Sequence, residues 1–134
     1  MLPYNYTAFL VNHINFSIAT KRRWILFRYT KKSLRLLSLF NKIGVLKFYI
    51  VSNNTHPYKV IKLSPFFYKN MSFFRRVKLV STPSKRFNLK LRTLQILSKS
   101  LGETILILET SFGTLTHMDA LRLKTGGKIL LVIN

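Results

Sequence analysis

Side chains suited to acid–base, nucleophilic or metal chemistry are scarce in this sequence. Its 134 residues contain three carboxylates, three histidines and no cysteine. Glu109 and His117 flank one turn-like stretch, but none of these groups has a spacing typical of catalysis or metal ligation. A Gly-rich phosphate loop and an H-E-x-x-H motif are also missing from the sequence. We therefore predict a protein that is not an enzyme and that uses no cofactor, no metal and no small-molecule substrate.

Cationic side chains are abundant and unevenly distributed. Lys and Arg number 23 against three acids, which gives a formal net charge of +20. Residues 1–102 contain 20 of the basic residues and no acid, so the whole net charge lies there. Because a folded chain this basic repels itself, we expect a polyanion to neutralise it. Nucleic acid is the first candidate, and an anionic membrane surface is the second.

The composition is that of a folded protein rather than a basic tail. Hydrophobic residues make up 48%, more than disordered cationic segments contain. The length allows one compact domain or two small ones. Residues 1–20 carry no charged side chain, but polar residues interrupt them, which argues against a signal peptide and a membrane span. The wealth of Phe, Ile, Leu, Asn and Lys indicates an A/T-rich gene, as in organelles and some bacteria.

The C-terminal stretch 105–133 predicts a strand, a hydroxyl-rich turn, a short helix, a diglycine turn and a final strand. Thr110 and Ser111 are expected to place two hydroxyls at the tip of the first turn. Thr116 has the capping-box spacing that begins a helix, and the glycines at 126–127 are predicted to end it. On these residues alone, the stretch can be an ordinary surface turn.

Helices are predicted at 7–16 and 31–43, and strands at 24–28, 45–51 and 58–63. The helix at 31–43 has an apolar face, a basic row on another face and Gly44 after its last residue. The last two strands are expected to form a hairpin through the turn 52–57. The basic cluster 21–23 should lie in the loop before the first strand. The cluster 21–23 and the basic row of the helix at 31–43 can contact RNA or can simply be solvated.

The second half is predicted to be mostly β. Strands are expected at 73–80 and 86–92, and in the latter apolar and polar residues alternate, which predicts one core face and one cationic face. Leucines at 94, 97 and 101 predict a short helix that closes at Gly102. Turn-forming residues between 64 and 70 mark the boundary between the two halves.

The C-terminal pattern T-S-x-G-x-x-T-x-x-x-A, with a later Gly-Gly and a last strand, resembles that of the universal small-subunit ribosomal protein number eight, the bacterial-type S-eight family. The matching positions are Thr110, Ser111, Gly113, Thr116, Ala120, Gly126 and Gly127. Glu109 stands where the family has its first Ser, Phe112 where it has a basic residue and His117 where it has Asp. Weaker similarity around 30–51 and 81–86 extends the resemblance over nearly the whole chain.

The resemblance implies an α+β fold of two small domains. An N-terminal α/β RNA-binding domain, 1–68, would have a short sheet and two helices, and a C-terminal rRNA-binding domain, 69–134, would be mostly β with a short helix. The implied function is that of a structural constituent of the small ribosomal subunit, which binds the central domain of small-subunit rRNA and supports assembly and translation. Its partners would be that rRNA and neighbouring small-subunit proteins, with no membrane.

The candidate RNA-binding residues combine the basic clusters with the C-terminal loop. They are Lys21, Arg22, Arg23, Lys31, Lys32, Arg35, Lys85, Arg86, Thr110, Ser111, Phe112, Gly113, Thr116, Gly126 and Gly127. Cations supply affinity without sequence information, while hydroxyls suit the 2′-hydroxyls of an RNA minor groove. Phe112 can stack on a base or ribose, or pack against the protein's own surface.

Two other functions stay open from the residues alone. A peripheral membrane protein would lay the basic amphipathic helix on anionic lipid, and an RNA-binding regulator would act outside the ribosome. For the ribosomal interpretation the compartment is expected to be the mitochondrial matrix, with a bacterial cytoplasm or another organelle as the alternative.

Overall fold

Helices and antiparallel strands build the structure, which confirms the predicted α+β class. A computed structural model describes residues 6–52, 59–69, 71, 74, 76–81 and 85–134. The chain divides into two compact units, Met1–Arg75 and Arg76–Asn134. Within the described residues, no helix is both long and apolar enough to cross a membrane.

The described part of the first unit contains two helices and a three-stranded antiparallel sheet. In chain order its elements are α1 Tyr6–Thr20, β1 Ile25–Arg28, α2 Lys31–Ile43, β2 Leu46–Ser52 and β3 Val60–Pro65. β3 lies between β1 and β2. Each predicted element is present, although α1 extends to Thr20 instead of ending at residue 16. The predicted hairpin of β2 and β3 is confirmed, while its turn residues 53–57 lie outside the described residues.

Local sequence signals define both ends of α2. The Thr30 hydroxyl accepts a hydrogen bond from the Ser33 N–H at 3.0 Å and caps the first turn. Gly44 adopts a left-handed φ of 102°, and its N–H donates to the Phe40 carbonyl at 3.0 Å, which ends the helix. Leu37 and Phe40 are fully buried, so the basic residues are left on the solvent side.

The sheet of the first unit has one covered face and one open face. Both helices pack against the sheet, and the register partners Phe27 and Ile61 are buried. On the other face Leu26, Lys62 and Ile50 form a row across the three strands. The Leu26 and Ile50 side chains there are 54% and 50% exposed, so apolar and cationic groups lie side by side on the open face.

The described part of the second unit contains five strands and two short helices. Its elements are β4 Val77–Leu79, β5 Asn88–Leu89, α3 Leu91–Ser98, β6 Ile105–Thr110, β7 Gly113–Thr116, α4 His117–Arg122 and β8 Gly127–Ile133. The strands are antiparallel in the order β4-β8-β6-β7, and β5 also pairs with β8. Leu94, Leu106, Leu108 and Ala120, from α3, β6 and α4, form a buried cluster.

The predicted strand 73–80 is present at Val77–Leu79, which pairs with β8, while its residues 73 and 75 lie outside the described residues. Another strand prediction needs correction. The predicted strand 86–92 is wrong, because only Asn88–Leu89 pairs with β8 and the next residues turn into α3. The Leu94 N–H already donates to the Lys90 carbonyl at 2.9 Å, which is the first helical hydrogen bond. A short apolar alternation cannot distinguish a strand from the approach to a helix.

The predicted end of α4 is also wrong, and β7 was not predicted. The helix ends at Arg122 because Lys124 takes a left-handed φ of 52°, and the Thr125 N–H then reaches back to the Ala120 carbonyl at 3.0 Å. Lys124 therefore ends the helix, which is the role predicted for the glycines at 126–127. Gly126 instead permits a close approach, since a Cβ there would collide with the Leu89 carbonyl oxygen.

Candidate RNA-binding surface

The C-terminal loop is the tip of a tight hairpin between β6 and β7. Thr110 pairs with Gly113, so the loop consists of Ser111 and Phe112 alone. The Thr110 hydroxyl accepts a hydrogen bond from the Phe112 N–H at 3.1 Å and donates one to the Gly113 carbonyl at 2.9 Å. Gly113 has a φ of 105°, which a residue with a Cβ rarely adopts. The turn is thus held together by Thr110 and Gly113.

The two loop residues are left facing outward. Ser111 is exposed, and the Phe112 side chain is 64% exposed. The expectation of two hydroxyls at the tip therefore holds for Ser111, because the Thr110 hydroxyl is engaged inside the turn. Of the two roles considered for Phe112, this exposure favours stacking on a partner. Its ring is available for stacking on a partner.

The acidic residue below the tip is paired. Glu109 faces Lys128 across β6 and β8, and the Lys128 ammonium lies 2.9 Å from the Glu109 carboxylate. The Glu109 side chain is 52% exposed and the Lys128 side chain 26%, so the pair contributes little to stability. Its main effect is to cancel the negative charge beside the loop. Sequence reasoning missed Lys128, because only the strand register brings it opposite Glu109.

Gly127 lets β8 lie close beside the base of the hairpin. A Cβ at this position would be 2.5 Å from the Glu109 carbonyl oxygen and 2.9 Å from the Thr110 methyl carbon. No side chain fits at these distances without a shift of the backbone. The glycines at 126–127 thus allow close backbone approach, Gly126 to the residues around Leu89 and Gly127 to the base of the hairpin.

The Thr116 and His117 side chains are buried and make hydrogen bonds within the second unit. The Thr116 hydroxyl is buried and accepts a hydrogen bond from the Asp119 N–H at 3.3 Å, as the capping-box spacing predicts. The His117 ring is buried, and its Nδ1 accepts a hydrogen bond from the Leu106 N–H at 3.2 Å. Burial lowers the pKa of His117 below its ordinary value, because the charged imidazolium would lose hydration. His117 therefore acts as a neutral acceptor within the core.

The basic cluster 21–23 is held in the loop after α1, as predicted. Lys21 takes a left-handed φ of 56°, and the Arg22 N–H donates to the Ser17 carbonyl at 3.1 Å. The Ser17 side chain is fully buried, and its hydroxyl donates to the Arg22 carbonyl at 3.0 Å. These two hydrogen bonds fix the backbone of the cluster, while all three basic side chains are exposed.

The remaining candidate cations are exposed and fall into two groups. Lys31, Lys32 and Arg35 lie on the first turns of α2 in the first unit. Lys85 and Arg86 precede β5 in the second unit, where the Lys85 ammonium lies 5.3 Å from the centre of the Phe87 ring. Residues 82–84 of the turn before them lie outside the described residues.

Fold and surface together define a cationic α+β protein whose exposed basic clusters are typical of a protein that binds nucleic acid. The family model for ribosomal protein S8 matches residues 7–134. The chain belongs to this family, whose members are structural proteins of the small ribosomal subunit. It is also similar to small ribosomal subunit protein uS8m of Acanthamoeba castellanii, with 28% identity over 110 residues that cover 82% of this chain and 84% of that protein. The resemblance seen in the sequence is thereby confirmed.

Proposed function

We propose that the protein binds a helical region of the central domain of small-subunit rRNA in mitochondrial ribosomes and helps that RNA to fold during assembly. Family membership supports the ribosomal role, and the suffix of the name uS8m supports the mitochondrial location. The role is structural rather than catalytic, and neighbouring small-subunit proteins are further partners. In this proposal both the 1–68 domain and the 69–134 domain bind RNA.

The hairpin tip is proposed to enter the shallow minor groove of the RNA. The observation that carries this proposal is the hydrogen-bonded two-residue loop, which holds Ser111 and Phe112 outward on a backbone fixed by Thr110. A hydroxyl can both donate to and accept from 2′-hydroxyls and base edges. Phe112 adds an apolar contact to a ribose or base. Because Lys128 neutralises Glu109, the loop can approach the RNA without repelling its phosphates.

The exposed cations are proposed to contact phosphates. The cluster 21–23, the residues Lys31, Lys32 and Arg35 on α2, and the pair 85–86 supply affinity that depends on salt. Residues 1–102 contain no carboxylate with which these side chains could pair. The phosphate contacts hold the protein on the RNA, while the tip determines which site it occupies.

Sedimentation and binding experiments test this function. Tagged protein should remain with the small subunit of mitochondrial ribosomes in high-salt gradients, and purified protein should bind a central-domain RNA fragment more tightly than a scrambled duplex. Recovery with membranes would favour the amphipathic-helix interpretation instead. Recovery in neither fraction would favour a regulator outside the ribosome.

A further inference from the structure

An open cleft of about 450 Å³ lies in the first unit, beside the end of β3. Four cationic side chains and two aromatic rings line it: Lys21, Arg23, Lys47, Lys69, Trp24 and Phe67. These residues come from three separate segments: the loop 21–24, β2 and the segment that follows β3. The cleft is in the size range of small-molecule sites and larger than one phosphate group needs.

Irregular backbone places three of the four cations. Lys21 and Lys69 have left-handed φ values of 56° and 50°, at which glycine would be less strained. Lys47 is the additional residue at an irregularity of β2, where the register with β3 shifts between Leu46 and Phe48. Bulges of this kind redirect a side chain out of the regular alternation. Lys21 directly follows α1, so its left-handed conformation also ends that helix.

The charge of the cleft is not balanced within the first unit. Residues 1–102 contain no carboxylate, so the first unit supplies none to its cations. The four like charges repel one another, and a bound anion would relieve that repulsion. The cleft therefore suits a ligand that carries phosphate.

The aromatic rings give the cleft an apolar component. The Trp24 side chain is 43% exposed, and the Lys62 ammonium lies 4.1 Å from the centre of a Trp24 ring, close enough for a cation–π interaction. Phe67, two residues after the end of β3, is partly buried and also lines the cleft. Aromatic faces of this kind stack on nucleobases without regard to base identity.

We infer that this cleft binds an unpaired nucleotide of RNA, with its base on Trp24 and its phosphates among the cations. The inference rests on the proposed function, because it takes RNA as the partner. It adds a single-stranded contact in the first unit to the duplex contact proposed for the hairpin tip. Sequence-specific RNA recognition commonly uses such unstacked bases.

Trp24 is the one tryptophan of the chain, so its fluorescence reports on the cleft directly. The experiment titrates the full chain with a single-stranded adenosine RNA hexamer and with an abasic hexamer of equal charge. We expect the adenosine hexamer to quench the fluorescence and to bind roughly tenfold more tightly than the abasic one. Equal binding and equal quenching by the two hexamers would overturn the inference.

A charge variant and a matched control test the cations. Replacing both Lys21 and Lys69 by Gly removes two charges and relieves the backbone, so folding should be retained. The salt slope of hexamer binding should then fall by about 1.4 if both side chains meet phosphates. Lys124→Gly makes the same kind of change at the left-handed position of the second unit and should leave hexamer binding unaltered. Equal effects of the two variants would overturn the inference.

Ring variants, followed with a labelled hexamer, test stacking. Trp24→Phe should keep most of the affinity, whereas Trp24→Leu should lose roughly tenfold.

Two further measurements identify the kind of partner. Competition by a glutamate hexapeptide as strong as that by RNA would contradict a nucleotide site and indicate an acidic protein partner. A central-domain RNA duplex is measured in parallel. Binding of the duplex without response to the hexamer would refute the cleft alone, and binding of neither would refute the proposed function as well.

Discussion

Two neighbouring hydroxyls of the hairpin tip are expected to respond differently to removal. Thr110→Val deletes a hydroxyl that makes two hydrogen bonds inside the turn, at 3.1 and 2.9 Å. At a net 0.5–1.5 kcal/mol each, and with partial exposure, the loss of unfolding free energy should be about 1–2 kcal/mol. Ser111→Ala deletes an exposed hydroxyl, so stability should change by less than about 0.5 kcal/mol.

For RNA affinity, Ser111→Ala should have the larger effect and Thr110→Val the smaller one. If Ser111 contacts a sugar or base edge, Ser111→Ala should lose about 0.5–1.5 kcal/mol for the cognate helix, or roughly two- to tenfold in Kd. Thr110→Val removes the hydrogen bonds that fix the loop but no contact group, so the folded variant should lose less affinity than Ser111→Ala. The salt slope should be unchanged for both variants, since neither removes a phosphate-neutralising charge.

The assay is a salt series of anisotropy isotherms on labelled cognate and scrambled helices. Urea unfolding followed by circular dichroism gives the stability of each variant under the same conditions. A contact specific to the tip predicts that Ser111→Ala weakens only the cognate complex. Equal losses on both RNAs, or none on either, would reduce the tip to an ordinary surface turn.

Three further predictions concern charge. Alanine at all three positions of 21–23 should lower the salt slope of RNA binding by up to about three, and an unchanged slope would assign the cluster to solvent. Glu109→Ser should strengthen binding of the cognate RNA, because it removes an acid and frees Lys128, and it should cost less than about 1 kcal/mol of stability. Weaker binding of this variant in the same isotherms would show that the ion pair itself shapes the site. Burial lowers the pKa of His117, so the unfolded chain takes up a proton near pH 6.5 while the folded chain stays neutral. Urea unfolding should thus show stability falling as pH drops below about 6.5 and levelling off below the folded pKa, with a smaller fall in His117→Asn; identical profiles would contradict this.

The elements with complete local signals were predictable from the sequence. The second helix was predicted with its observed bounds, since Gly44 ends it and its apolar residues recur at helical spacing. The strand predicted at 86–92 failed because its alternation is compatible with a two-residue strand followed by a helix. β7 has four residues and was hidden by the helix signal that follows it.

Features that depend on packing between distant residues could not be predicted. The diglycine at 126–127 looked like a helix stop, but the glycines matter through their closeness to backbone of other strands. The engagement of the Thr110 hydroxyl depends on the two-residue loop, which appears only once β7 pairs with β6. Lys47 and Lys69 had no local signal, because only the folded sheet brings them beside Trp24.

Photo-crosslinking from position 112 tests the central claim most directly. A photoreactive phenylalanine derivative replaces Phe112 in protein assembled into intact mitochondrial small subunits, and the crosslinked nucleotides are mapped. The same residue at position 118, where Met118 is exposed on α4 of the second unit, is the control. We predict a crosslink from position 112 to a helical segment of the central domain of small-subunit rRNA. Crosslinks from position 112 only to protein, or to rRNA outside the central domain, would contradict the account.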